Sequence, residues 1–179
     1  MTVRRAQNGD ADAYGDLVAR HRPAALRVAT VVLGSADGAD DVVQQATERA
    51  WRSFASFDAA RPFRPWFLRI VANGARNDRR ARGRRAHLEV RAAHAGMAQE
   101  SATPEEAAVS DADRQRVVAA LNLLGGDDRL VIALRWFEQL SEAEMVETLD
   151  VPAGTVKSRL SRAMGRLRAV LEAEGAVNG

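Results

Sequence analysis

The chain contains no cysteine, which excludes a disulfide framework and a thiolate metal site. Its three histidines, His21, His87 and His94, are scattered, with no carboxylate or histidine neighbour at metal-ligand spacing. Neither a metal nor a cofactor is expected. The G-x-x-x-x-G-K-[ST], G-x-S-x-G and H-E-x-x-H patterns are all missing, so no catalytic machinery is visible and an enzyme is not expected. The opening stretch, MTVRRAQNGDADAY, holds no apolar core of signal-peptide length, and no later run is long enough to span a bilayer. A soluble protein of the cytoplasm, without membrane insertion, is the expectation. Lysine is nearly absent too: of 26 basic residues, only Lys157 is not arginine.

What is present narrows the reading. A length of 179 residues suits one ordinary domain or two small ones, and a hydrophobic content of 46% excludes wholesale disorder. The basic residues are unevenly placed. Arg69, Arg76, Arg79, Arg80, Arg82, Arg84 and Arg85 crowd one segment with only Asp78 against them, the pattern of a phosphate-facing patch. Six of the nine aromatic residues, Trp51, Phe54, Phe57, Phe63, Trp66 and Phe67, precede that block. Asn73 and Asn77 stand among the arginines although asparagine is a weak helix former. Aromatic rings, guanidinium groups and amides together suit single-stranded nucleic acid, where unstacked bases meet side-chain planes and amide groups. Trp51, Phe54 and Phe67 are nevertheless expected to be core.

Apolar residues recur at helical spacing through most of the chain. The first helix is expected to begin at an Asp10 N-cap, to break or kink at Pro23 and to close at Gly34. Ser35 to Phe54 reads as the next helix, with Val42, Val43, Ala46, Ala50 and Phe54 inward and Asp40, Asp41, Gln44, Gln45 and Glu48 outward. DAARPFRP, from Asp58 to Pro65, reads as a loop because of its two prolines, with a helix restarting near Phe67. Residues 87–113, rich in Ala, Ser, Thr and acid, read as a flexible tether. Beyond it Val117, Val118, Leu121 and Leu124 mark one helix, Gly125 and Gly126 break it, and Asp127 can cap the next.

The stretch LSEAEMVETLDVPAGTVKSRLSRAMGRLRAVL, Leu140 to Leu171, reads as two helices joined by a tight turn. Ser141 and Glu144 form a capping box, Asp150 tolerates the left-handed turn, and Pro152 suits the start of a new helix. Val156, Leu160, Ala163, Leu167 and Val170 form a buried stripe. Thr155, Lys157, Ser158, Arg159, Ser161 and Arg162 lie on the remaining faces, a basic second helix fit to enter a major groove. A helical hairpin with a merely solvated basic face is the plainer alternative.

Three segments in order resemble the bacterial sigma factors of the extracytoplasmic-function type, which keep only the second and fourth sigma regions. VPAGTVKSRLSRAMGRLR resembles the family's recognition helix, ADDVVQQATERAWRSF its polymerase-docking helix, and PWFLRIVANGARNDRRARGRR its promoter-reading helix. The resemblance implies an all-α fold of two small helical domains: sigma region 2 over residues 8–86 and sigma region 4 over 114–174, joined by the linker 87–113. It implies a promoter-specificity factor that binds core RNA polymerase through the largest subunit's clamp helices and the flap region. Asp40, Asp41, Gln44, Gln45 and Glu48 would meet the clamp, although Gln45 stands where the family commonly has an acid. Phe57, Phe63, Arg64, Trp66, Asn73, Arg76, Asn77, Arg79 and Arg80 would capture the melted strand of the −10 element. Thr155, Lys157, Ser158, Arg159, Ser161 and Arg162 would read the −35 duplex. A cognate anti-sigma factor is the further partner implied. A stand-alone helix-turn-helix regulator is the alternative function, and an adaptor for RNA or acidic proteins a third.

Overall fold

In the computed structural model the backbone of residues 2–92 and 110–177 is described, with side chains over 2–84 and 116–173. The linker residues 93–109, and with them His94 and the acidic cluster at Glu100, Glu105 and Glu106, lie outside the described residues.

Thr2–Gln7 forms a short helix, α1, ahead of the first expected one. Ala6 is buried, and the Gln7 amide donates to the Phe57 carbonyl at 2.5 Å, tying the amino terminus to the aromatic stretch. Gly9 (φ 91°) turns the chain into α2, Ala11–Leu33. Asp10 caps α2 as expected, accepting from the Ala13 N–H at 2.9 Å. That N–H and the Arg5 guanidinium hold the Asp10 carboxyl below the usual carboxylate range. Gly34 closes α2 with φ 88°. Of the break or kink expected at Pro23, the break does not occur, since α2 is continuous through it. An interior proline costs about 3 kcal/mol, and the packing of Ala24, Ala25, Val28 and Ala29, all buried, outweighs it.

The next helix, α3, spans Ala39–Ser53 and begins later than the expected Ser35. Gly34 and Gly38 are both left-handed, so the intervening residues make a tight connection instead of a first turn. A 3₁₀ turn, Phe54–Ser56, ends it. The fourth helix, α4, spans Phe63–Ala92 and begins earlier than expected, taking Phe63, Arg64 and Pro65 out of the loop. A proline in the first turn gives up no helix bond, so the two prolines that argued for a loop are compatible with a helix start. α4 also runs past the expected domain boundary at 86. Helices α2, α3 and α4 pack on one another around Val28, Val43, Phe54, Phe67, Leu68 and Val71.

The carboxy-terminal half holds α5 (Ser110–Leu123), α6 (Gly126–Ile132), α7 (Glu142–Leu149) and α8 (Ala153–Val177). Gly125, not Asp127, occupies the N-cap of α6; Asp127 and Asp128 sit in its first turn, where the macrodipole favours acid. A wider, π-type turn over Ala133–Phe137 follows α6 and leaves Trp136 and Phe137 about half exposed. The α7–α8 pair matches the sequence closely. Both hydrogen bonds of the Ser141–Glu144 capping box are made, and Asp150 is left-handed at φ 56°. Val156, Ala163 and Leu167 are buried. Ser141→Ala removes an N-cap oxygen and is expected to lower stability by about 1 kcal/mol, read as a shift in the urea midpoint at constant slope. An unchanged midpoint would show that the cap contributes nothing net.

The described residues are all helix and turn, in two small helical domains. The domains pack together, α6 on α2 and α7 on α4.

Candidate nucleic-acid interface

On α8 the expected duplex-reading residues share the exposed side. Lys157, Ser158, Ser161 and Arg162 are exposed, and Thr155 and Arg159 are half-buried. The Pro152 carbonyl accepts from the Thr155 N–H at 2.9 Å, which fixes the first turn of the helix. Ser158 Oγ donates to the Thr155 carbonyl at 3.1 Å and Arg162 Nε to the Ser158 carbonyl at 3.2 Å. Lys157 lies 3.4 Å from Glu142. These are weak, exposed tethers that a DNA phosphate or base edge can replace. Asp128 on α6 pairs with Arg166, holding the far side of α8 to its own domain.

On α4 the outcome is mixed. Asn73, Asn77 and Arg80 are exposed; Arg64, Trp66, Arg76 and Arg79 are half-buried. Phe57 and Phe63 are corrections: each is only 5% exposed and neither presents a face to bases. They form, with Phe54 and Trp66, a cluster whose ring centroids lie 4.7–6.0 Å apart. An aromatic ring in such a cluster gains both area burial and edge-to-face attraction, which wins over display to solvent. Trp51, expected in the core, is instead 38% exposed, against Tyr14 at 4.7 Å. Phe54 and Phe67 are buried as expected.

Beside the same cluster the His21 ring packs tilted against Phe63, with centroids 5.5 Å apart. Burial, then the nearby Arg64 and Arg20 charges, push its pKa below the ordinary 6.5. The folded state therefore prefers neutral His21, and its contribution to stability is present above pH 6.5 and lost as pH falls through the lowered value. The expected result is an NMR titration midpoint for His21 below 6.5, with acid sensitivity that His21→Phe removes. A midpoint at or above 6.5 would contradict this.

The docking candidates Asp40, Asp41, Gln44, Gln45 and Glu48 form one exposed face of α3. Asp40 bonds Arg22 at 2.6 Å, and Glu48 lies 3.8 Å from Arg52, so the acids are held but open to solvent.

No motif or spacing signals what faces the α4 arginines. Arg64 donates to both the side chain (2.7 Å) and the main-chain carbonyl (2.8 Å) of Glu138, whose carboxylate is fully buried. Arg27 on α2 completes the site at 2.7 Å from the same carboxylate. Arg69 lies 3.0 Å from Asp150, and Arg76 bonds Asp127 at 2.7 Å. Arg61 Nη2 lies 3.0 Å from Glu147 Oε1, an ion pair without hydrogen-bond geometry. Each of these crosses between the domains with the arginine on the amino-terminal side and the carboxylate on the other. Arg129 of α6, 2% exposed, is the exception in sign: its guanidinium donates to the Val32 carbonyl at 3.3 Å and to Asn122 at 3.1 Å. Burial, and then the charge of Arg79, push its pKa down to about 10.

A helix-turn-helix with an open basic face, tied to a second helical domain with an arginine- and asparagine-bearing helix, defines a DNA-binding transcription protein. Residues 17–85 match the family Sigma-70 region 2, and residues 114–167 match Sigma-70, region 4. The chain is 36% identical over 170 residues to the ECF RNA polymerase sigma-E factor of Escherichia coli (strain K12), covering 91% of this chain and 88% of that protein. Among solved structures, CnrH in complex with the cytosolic domain of CnrY has a TM-score of 0.71 and 31% identity, over 96% of both chains. The sigma factor RpoE from Bartonella quintana, in complex with the anti-sigma factor NepR, has a TM-score of 0.67 and 28% identity, over 89% of this chain and 96% of that one. The chain belongs to the sigma-70 family, among its extracytoplasmic-function members. It is a promoter-specificity factor of transcription initiation, and the stand-alone regulator is not favoured.

Proposed function

We propose that this sigma factor reads a two-part promoter with its two domains, residues 8–86 and 114–174, on either side of the linker 87–113. The observation that carries the division is the separate placement of two basic surfaces, one on α8 and one on α4. Lys157, Ser158, Ser161 and Arg162, flanked by Thr155 and Arg159, enter the major groove at the −35 element, where base edges are distinguishable. Asn73 and Asn77 offer amides to bases of the melted −10 strand, Trp66 offers a ring, and Arg64, Arg76, Arg79 and Arg80 hold phosphate. Phe57 and Phe63 support that surface from below. The acidic face of α3 docks on the clamp helices of the polymerase's largest subunit, and the carboxy-terminal domain on the flap region. The polymerisation chemistry is the polymerase's, so the factor acts as a subunit and not as an enzyme, in the cytoplasm where the polymerase works.

A cognate anti-sigma factor is a further partner in this reading. It is supported by the solved relative from Bartonella quintana, which was captured with one. No helix among the described residues is long and apolar enough to cross a membrane.

Run-off transcription with purified core polymerase tests the reading. Addition of the protein is expected to give promoter-dependent transcripts from fragments of its own genome, and none on any such template would overturn it. At the resulting promoter, Arg162→Ala is expected to relax −35 preference by about 1–3 kcal/mol, the worth of a bidentate base contact. An unchanged base preference with uniformly weaker binding would reassign Arg162 to phosphate.

A further inference from the structure

The exposed loop 58–62 joins the 3₁₀ turn to α4, and the residues at both its ends abut the Trp66 ring, Phe57 at 4.7 Å and Phe63 at 5.6 Å between centroids. Its far end is fixed by the first turn of α4. Burial of Phe57 fixes the near end less completely, because a buried ring sets its own side chain and leaves the next peptide plane free to turn. That plane is held from another element. Gln7 Nε2 donates to the Phe57 carbonyl at 2.5 Å and, more weakly, to the Phe54 carbonyl at 3.5 Å. Phe57 is extended there, at ψ 129°. Beyond it Asp58 Oδ1 accepts from the Ala60 N–H at 2.9 Å, and the Asp58 carbonyl from the Arg61 N–H at 3.0 Å. The direction of this compact turn follows from the plane that precedes it. Gln7 is itself tightly placed. A helix of six residues has no stability of its own, and α1 is held by buried Ala6, by the turn at Gly9 and by Arg5, which bonds Asp10 at 2.9 and 2.7 Å. It lies ahead of residues 17–85, which match region 2.

We infer that Gln7 is a positioning residue for −10 recognition, an assignment that rests on the −10 role proposed for α4 and Trp66. By holding the peptide between Phe57 and Asp58, it sets the loop 58–62 as a fixed wall beside the Trp66 ring, where an unstacked base of the melted strand is received. A need of the core does not account for the bond. The Phe57 carbonyl opens on an exposed segment, so water can satisfy it when Gln7 is removed, and the net worth of the bond to folding is small. Its worth to recognition is larger. A site that discriminates needs its walls held within about 0.5 Å, closer than a freely turning peptide keeps them. A wall already in place also costs no ordering when the base arrives. The short helix α1 thus belongs to the promoter reader although Gln7 itself acts only through the loop.

The test uses the full chain with core polymerase and promoter templates randomised separately at the −10 and −35 elements, the run-off transcripts being sequenced to give each preference. Gln7→Met keeps the length and shape of the side chain and removes the N–H donor. It is expected to lower −10 discrimination about fivefold to tenfold, the fold-change one hydrogen bond is worth, with −35 preference as in the parent. Gln7→Lys supplies a donor of sufficient reach and is expected to restore the parental −10 preference. Its added charge strengthens binding to any strand without choosing among bases. A parental −10 preference in Gln7→Met overturns the role. Equal loss at both elements overturns it too, since that marks a merely structural contribution, and so does a failure of Gln7→Lys to recover what Gln7→Met loses. If circular dichroism shows that Gln7→Met does not fold, Gln7→Asn, whose amide is one methylene short of the Phe57 carbonyl, carries the same expectation. No promoter-dependent transcript from the parent removes the sigma reading itself, whereas transcripts with an intact −10 preference in Gln7→Met remove the positioning role alone.

Discussion

Phe54→Ala is expected to lower the stability of the protein by about 3–5 kcal/mol, the cost of a large-to-small change at a fully enclosed aromatic site. Phe54 is 1% exposed and lies where the end of α3 meets α2 and α4. Its ring faces Tyr14 at 5.2 Å, Phe57 at 5.6 Å, Phe63 at 5.8 Å and Trp66 at 5.9 Å. The neighbours cannot readily collapse into the space. Tyr14 is pinned by its hydroxyl to the Thr47 carbonyl at 2.7 Å, and the Phe57 carbonyl is held by Gln7 at 2.5 Å. A cavity that stays open adds its own cost to the lost transfer energy, which places the expectation in the upper part of the range. Denaturant unfolding followed by circular dichroism measures it, and a loss under about 1.5 kcal/mol would mean that the cluster relaxes. Trp51→Ala is the internal comparison, with a smaller loss expected because that ring is already 38% exposed.

The second large effect lies at the seam. Glu138 has a fully buried carboxylate with two cations on it, Arg27 and Arg64. Its hydrogen bond and its charge hold the Arg27 guanidinium protonated more firmly than usual. Arg27→Ala alone leaves Arg64 in place and is expected to be mild. The double change Arg27→Ala, Arg64→Ala strands the carboxylate with no cation in a site closed to water, which costs about 3–5 kcal/mol when it cannot escape. Domain separation relieves that cost by returning Glu138 to solvent, so the expected result is an open protein and not an unfolded one. Small-angle scattering of the double variant should show a larger radius of gyration with helix content retained. A radius unchanged from the parent would show that Glu138 is neutralised or rehydrated in place. The double-mutant cycle is expected to be non-additive, since both arginines serve one acceptor.

Much of the fold was legible because its cues are local. The Asp10 and Ser141 caps, the Gly34 and Asp150 stops and the stripe Val156–Ala163–Leu167 act within a turn or two of chain, where short-range hydrogen bonds and helical period decide. The errors fall where a local cue met a distant partner. Pro23 does not break α2 because other helices pack on the residues beside it, and Pro65 lies in a helix first turn that its sequence neighbours disguise. Trp51 and Phe63 exchanged expected environments, since burial of a ring depends on which helix lies across from it. The face of α8 and the acidic face of α3 stand where helical spacing puts them.

The sequence by itself determined the all-helical character, the helix-turn-helix, the outward acids of α3 and the clustering of arginines and asparagines on one helix. Each follows from residue type and period alone. Only the tertiary structure decided which aromatics are core and, above all, what the arginines of α4 face. Glu138, Asp127 and Asp150 belong to no motif that pairs them with Arg64, Arg76 and Arg69, and lie 74, 51 and 81 positions away in the chain. Charges so far apart in sequence meet only when two packed domains bring them together, and at that range no periodicity carries the information.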